Sequence, residues 1–175
     1  ARGARLWAAG RGVAAAAAVA VAPAAGQMRD SLTLGLASFP PSLQPLTGNE
    51  VVRHYVIAMF LRPMMTYDAD QKLVCRLCTE VPTFANGRAR ETDLGGGKKG
   101  VALSITLLAD AVWGDGTPLT VKDFVFSHAV KKHPASGNVS AEFDRRILKI
   151  EAADDKNFVV HFDRVTYEYN DLADY

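Results

Sequence analysis

The sequence has 175 residues, 20 Lys and Arg against 19 Asp and Glu, and nearly half apolar side chains (49%). Three of the arginines fall in the first 25 residues, which hold no acid, so the rest of the chain carries 17 basic against 19 acidic groups. That balance, without a clustered basic stretch, excludes a nucleic-acid binder, and the roughly 150 residues that remain are enough to bury a core.

Residues 1–26 read as a secretory leader. Arg2, Arg5 and Arg11 supply a positive start, and Val13 to Ala22 is an uncharged apolar run too short to anchor in a bilayer. Ala22-Pro23-Ala24 offers the small residues that a signal peptidase reads, with cleavage before Ala25 or before Gln27. An alanine-rich tail or an interfacial helix is the alternative. No cysteine lies near this region, so no lipid anchor is expected. The chain opens on Ala1 rather than methionine, which gives the expectation that it is incomplete at that end.

Ser31 to Leu36 alternates, with Leu32, Leu34 and Leu36 on one side, and predicts a half-buried strand. Ala37 to Leu46 is rich in proline and reads as a crossover. Thr47-Gly48-Asn49-Glu50 has capping-box spacing ahead of an apolar helix stopped by Pro63. Its expected buried face is Val51, Val52, Tyr55, Ile57, Met59 and Phe60. Residues 64–74 suggest a short hairpin around Asp68 to Gln71, and Asn86-Gly87 is a further hairpin signal. Leu94 to Gly100 reads as a loop, and Val101 to Leu108 as a strand with Val101, Leu103, Ile105 and Leu107 inward.

Gly114 to Pro118 is dense in turn formers, and Thr120 with Asp123 three residues on marks a helix start. Val121, Phe124, Val125, His128 and Ala129 then share a face, and Trp113 is expected beneath the helix against Phe124. His133 to Asn138 breaks the chain. Residues 146–152 and 157–162 predict two strands around the Asp154-Asp155-Lys156 turn.

Few residues suggest chemistry. Cys75 and Cys78 have C-x-x-C spacing, which fits a small disulfide in an oxidising compartment or redox work in a thioredoxin-like context. That context, a helix opened by the pair, is missing, so a structural pair is expected. The four histidines, His54, His128, His133 and His161, are scattered and give no metal site. G-G-G-K-K-G lacks the P-loop pattern and precedes a strand, and no G-x-S-x-G or H-E-x-x-H appears. An enzyme is not expected.

The run W-G-D-G-T-P-L-T-V-K-D-F-V-F-S resembles the signature of the family 5 extracellular solute-binding proteins, the peptide and nickel receptors of bacterial ABC importers. F-L-R-P-M-M-T-Y-D-A-D-Q-K-L-V is similar to that family's "L-hydrophobic-x-Y/F-D-x-D-G-x-L-V-P", and I-L-K-I-E-A-A-D-D-K-N-F-V-V-H-F to its "I-x-x-I-E-V-x-D-x-x-T-V-V-F-x-F". The resemblance implies an α/β, mixed-sheet, two-lobe periplasmic-binding-protein fold. Of that fold only the first strand of lobe I and the adjoining N-terminal subdomain would be present, in residues 27–175. It further implies a monomer in the periplasm that closes on a peptide or small solute and presents it to inner-membrane permease subunits, without cofactor. Ser38, Phe39 and Pro40 match the loop that lines the ligand cleft, although an ordinary proline-rich crossover explains them as well. Gln44 replaces the aspartate of the family's S-L-D-P. A secreted enzyme or a thiol-redox protein using Cys75 and Cys78 is the competing reading.

Overall fold

The computed structural model describes residues 31–172, so the expected leader lies outside the described residues. Leu36–Tyr175 forms one unit, and the elements below belong to it. In chain order they are α1 (Val51–Ile57), β1 (Met65–Tyr67), β2 (Leu73–Cys75), β3 (Ala89–Asp93), β4 (Lys99–Thr106), α2 (Val121–Lys132), α3 (Ala141–Arg146), β5 (Ile147–Ala152) and β6 (Asn157–Phe162). A single 3-10 turn, Pro134–Ser136, follows α2. The α/β class expected from the sequence holds.

The main sheet has the order β3-β4-β6-β5, and β1-β2 is a separate two-stranded ribbon. All these ladders are antiparallel. Alternation along β4 sends Val101, Leu103 and Ile105 to one face, where Phe162, Val160 and Phe158 of β6 sit opposite them in register. Leu107 continues that buried row past the strand end. Val121 and Phe124 of α2 close over it, with Phe124 stacked on Phe158 at 5.3 Å between centroids.

Two turns are built as the sequence predicts. The carboxylate of Asp154 accepts the amides of Lys156 and Asn157, each at 2.8 Å, and so closes the β5–β6 connection. Asp68 does the same for β1–β2, accepting from Asp70 and Lys72 at 2.9 Å. Within the second turn Gln71 is held at φ 60°, where the family pattern has glycine. Left-handed backbone costs a side-chain-bearing residue about 1–2 kcal/mol, and Gln71 is exposed. Gln71→Gly should therefore raise stability by about 0.5–1 kcal/mol after the added unfolded-state entropy of glycine, read as a higher urea midpoint.

Several expectations fail. Residues 31–36 carry no strand, and Leu32 is 70% exposed. Alternation marks a face, but a strand also needs a neighbour for its backbone groups, and among the described residues no ladder includes this stretch. Helix α1 ends at Ile57, and Val51, Tyr55, Met59 and Phe60 are exposed. Its buried face is Arg53 and Ile57. The Thr47–Glu50 capping box does not form, because the helix starts three residues later with Glu50 as its N-cap; the Glu50 carboxylate pairs with Arg53 at 2.9 Å. Asn86-Gly87 is not a hairpin either. The Asn86 side chain accepts the amides of Thr83 and Arg88 and closes a local loop. The β3–β4 hairpin instead turns through Gly95, Gly96 and Gly97, all at positive φ.

Trp113 is 48% exposed rather than buried under α2. Val121 and Phe124 of the helix share the core cluster with Phe158, Ala111 and Leu119, and the indole is not a member of it. On α2, Val125 and Ala129 face outward, while Val121 and Phe124 are buried and His128 is half-buried. Burial holds His128 below the usual imidazole value, Lys132 and Lys131 add to this, and Asp144 opposes it. A protonated His128 is thus disfavoured in the fold. Its contribution to stability is complete above about pH 6.5 and is lost as pH falls through the window just below. His128→Gln should flatten that part of the stability–pH curve in urea titrations between about pH 7.5 and 5.5, a unit either side of the ordinary imidazole value.

Candidate functional site

The loop from Ala37 to Thr47 is short and stiff. Pro40 and Pro41 fix two consecutive φ angles and bias Phe39 to extended backbone. Ser38 and Phe39 are exposed, Phe39 at 92%, whereas Pro40 is buried. Among the described residues no backbone hydrogen bond engages positions 37–41. The Ser38 and Phe39 amides and carbonyls thus have no backbone partner among the described residues, and the three expected ligand residues come together only as neighbours in sequence.

Beyond Pro41 the loop is fastened. Ser42 Oγ accepts the Gln44 amide at 3.0 Å, and the Gln44 side chain accepts the Leu46 amide. Gln44, in place of an aspartate, therefore caps its own turn. The Leu46 carbonyl accepts the Val139 amide at 3.0 Å, which ties the loop to the segment after α2. Arg53, on the inner side of α1, is 1% exposed. Its Nη1 donates to the Gln44 carbonyl at 3.0 Å and to the Thr47 hydroxyl at 3.4 Å. Sequence reading missed this residue, because an arginine in an amphipathic helix ordinarily faces water.

Cys75 and Cys78 form a disulfide with 5.2 Å between Cα atoms. Cys75 ends β2, and Cys78 is buried and bridges to Leu107 at the end of β4. The Met64 carbonyl accepts the amides of Arg76 and Leu77 at 2.9 and 3.2 Å. The pair thus closes a turn that joins the ribbon to the main sheet, and it does not open a helix as a redox pair does. Among the described residues, no cluster of three His, Cys, Asp or Glu could hold a metal, and no helix is long and apolar enough to cross a membrane.

The W-G-D-G-T-P stretch is a turn and helix start. Trp113 donates its amide to the Thr117 carbonyl at 2.8 Å, and Gly116 at φ 86° donates to the Trp113 carbonyl at 2.9 Å. Asp115 accepts the Thr117 amide, and hydrogen bonding from Thr117 holds its carboxyl below the usual range. The Asp123 carboxylate accepts the Thr120 amide at 2.7 Å in the expected capping box. Asp155 supplies a carbonyl for the Val121 amide, fixing α2 to the β5–β6 turn. These residues shape the turn and the start of α2.

No family model and no curated protein matches the chain. Solved structures do. The oligopeptide binding protein from Thermus thermophilus, complexed with a pentapeptide, is 32% identical over 76% of this chain and 22% of its own, with a TM-score of 0.66. The resemblance to the family 5 solute-binding proteins is borne out. OppA of Haemophilus influenzae, in complex with RPPGFSPFR, is 25% identical over 73% of this chain and 26% of its own, at a TM-score of 0.54. NikZ from Campylobacter jejuni, in complex with Ni(L-His), shares the fold at a TM-score of 0.58 and 15% identity, over 78% of this chain and 25% of its own. The chain therefore spans about a quarter of the length of the family 5 structures it matches, and the matched proteins are binding proteins rather than enzymes.

Proposed function

We propose that this chain is the N-terminal part of a periplasmic substrate-binding component of an ABC importer that captures peptides and delivers them to inner-membrane permease subunits. In this reading residues 1–26 are the leader, residues 27–175 belong to the solute-binding domain, and the protein acts as a monomer without catalysis or cofactor. Ser38, Phe39 and Pro40 form the ligand loop. An extended peptide would add a strand alongside it, drawing affinity from main-chain hydrogen bonds and little sequence preference. The observation that carries the reading is the 32% identity with a pentapeptide-complexed oligopeptide binding protein over 76% of the chain. The open backbone at Ser38 and Phe39 fits it.

Thermal unfolding of the secreted, full-length protein tests the solute class. Mixed-sequence pentapeptides should raise the melting temperature as expected for a ligand that binds only the folded state. Free amino acids and a nickel–histidine complex should not. No shift with any peptide, together with ester hydrolysis or thiol–disulfide exchange by the same preparation, would favour the secreted enzyme or the redox protein using Cys75 and Cys78.

A further inference from the structure

We propose that Arg53 is a positioning residue for the ligand loop, its buried guanidinium setting the path of Ser38 and Phe39 through the Gln44–Gly48 turn. The inference rests on the peptide-binding reading above. Three observations carry it. First, Arg53 is the largest fully buried side chain among the described residues, yet it is charged. A buried cation is costly unless its donors are used, and here they are spent on the loop: on the Gln44 carbonyl, on the Thr47 hydroxyl, and on Glu50, which opens α1.

Second, the loop is shaped around the guanidinium. Gly48 is buried, and a Cβ there would come within 2.6 Å of Arg53 Nη2. The same Cβ would meet Glu50 Oε2 at 2.5 Å, so a side chain at position 48 has to displace the ends of both members of the Arg53–Glu50 pair. Third, the anchor lies close to the residues it would control. Only Ser42 and Leu43 separate Pro41 from Gln44, and Ser42 is itself bonded to the Gln44 amide. With φ fixed at two consecutive prolines, the direction in which Phe39 leaves the anchored turn has little freedom.

Not all of the guanidinium is satisfied. Arg53 Nε is buried and has no partner among the described residues. Its Nη1 is turned to the loop, on Gln44 and Thr47, and its Nη2 to Glu50, so the loop contacts offset part of the cost of burying the charge.

The test places a tryptophan reporter in the loop, Phe39→Trp in a background whose other tryptophans, Trp7 and Trp113 among them, are replaced by phenylalanine, and follows its fluorescence anisotropy in the full-length protein without ligand. Arg53→Met should make the indole at position 39 markedly more mobile, and Arg53→Lys, which keeps the charge but not the fork, should restore part of the order. Gly48→Ala, which keeps Arg53 but pushes the turn away, should loosen it as well, and serves if Arg53→Met does not fold. Ile105→Val, a core change distant from the loop, should lower the melting temperature and leave the anisotropy unchanged. Pentapeptide affinity, measured well below each melting point, should fall by about tenfold or more in Arg53→Met and recover in part in Arg53→Lys. Unchanged anisotropy in folded Arg53→Met or in Gly48→Ala overturns the inference, as does a loosened loop with undiminished affinity. If no variant, the parent protein included, binds peptide, the peptide reading fails, and the anisotropy still decides whether Arg53 orders the loop.

Discussion

Truncating Phe124 to alanine should destabilise the protein by about 3–5 kcal/mol. Phe124 is 7% exposed and stacks on Phe158, which pairs with Ile105 across the centre of the sheet. Removing the ring leaves a cavity between α2 and β6 that neither backbone can close, since α2 is held at its start by Asp155 and the capping box. The same substitution at Trp113, another aromatic of the motif, should cost only about 1 kcal/mol, because roughly half of the indole is already in water. Urea unfolding checks the pair: the midpoint should move far for Phe124→Ala and little for Trp113→Ala, with unchanged slopes. Equal shifts would mean that Trp113 is packed after all.

Gly100→Ala should be comparably severe for a different reason. Gly100 is buried in β4 opposite Thr92, and a Cβ at this position collides with the backbone carbonyl of Phe162 at the end of β6. A side chain could rotate away, but a carbonyl at the end of a ladder cannot move without shifting the strand. Overpacking of this kind costs about 1–3 kcal/mol, and an adjacent lost ladder bond about 1 more. A loss of roughly 2–4 kcal/mol is therefore expected in thermal unfolding. A change within about 0.5 kcal/mol would show that β6 ends loosely at Phe162.

Much of this fold was legible because it is written in short-range chemistry. The alternation of Val101, Leu103, Ile105 and Leu107 fixed the inner face of β4, and Asp154 and Thr120–Asp123 marked a turn and a helix start that formed as expected. What was not legible depends on what lies opposite. The apolar faces of residues 31–36 and of α1 have the right period, but period does not say whether anything covers them, and here Leu32, Tyr55 and Phe60 stay exposed. Helix α3 went unseen because Ala141 to Arg146 carries a single large apolar residue, Phe143. What the structure shows there is an acidic first turn and a basic last turn, with Asp144 buried against Asn138.

The site was less legible than the fold. Ser38, Phe39 and Pro40 stood out only through the family resemblance, since nothing in their own chemistry separates a ligand loop from a proline-rich crossover. Arg53, which fastens the adjoining turn, carried no signal at all. The substitution of Gln44 for aspartate proved interpretable only in three dimensions, where its side chain closes a turn and its carbonyl meets Arg53.

Amide hydrogen exchange at Ser38 and Phe39 tests the central claim most directly. Both amides lack a backbone partner among the described residues, so in the ligand-free full-length protein they should exchange rapidly. Saturation with a pentapeptide should slow exchange there by about tenfold or more, corresponding to about 1.4 kcal/mol of protection, while amides in the centre of β4 change little. Tight peptide binding that left Ser38 and Phe39 exchanging at their free rates would place the ligand elsewhere and contradict the account.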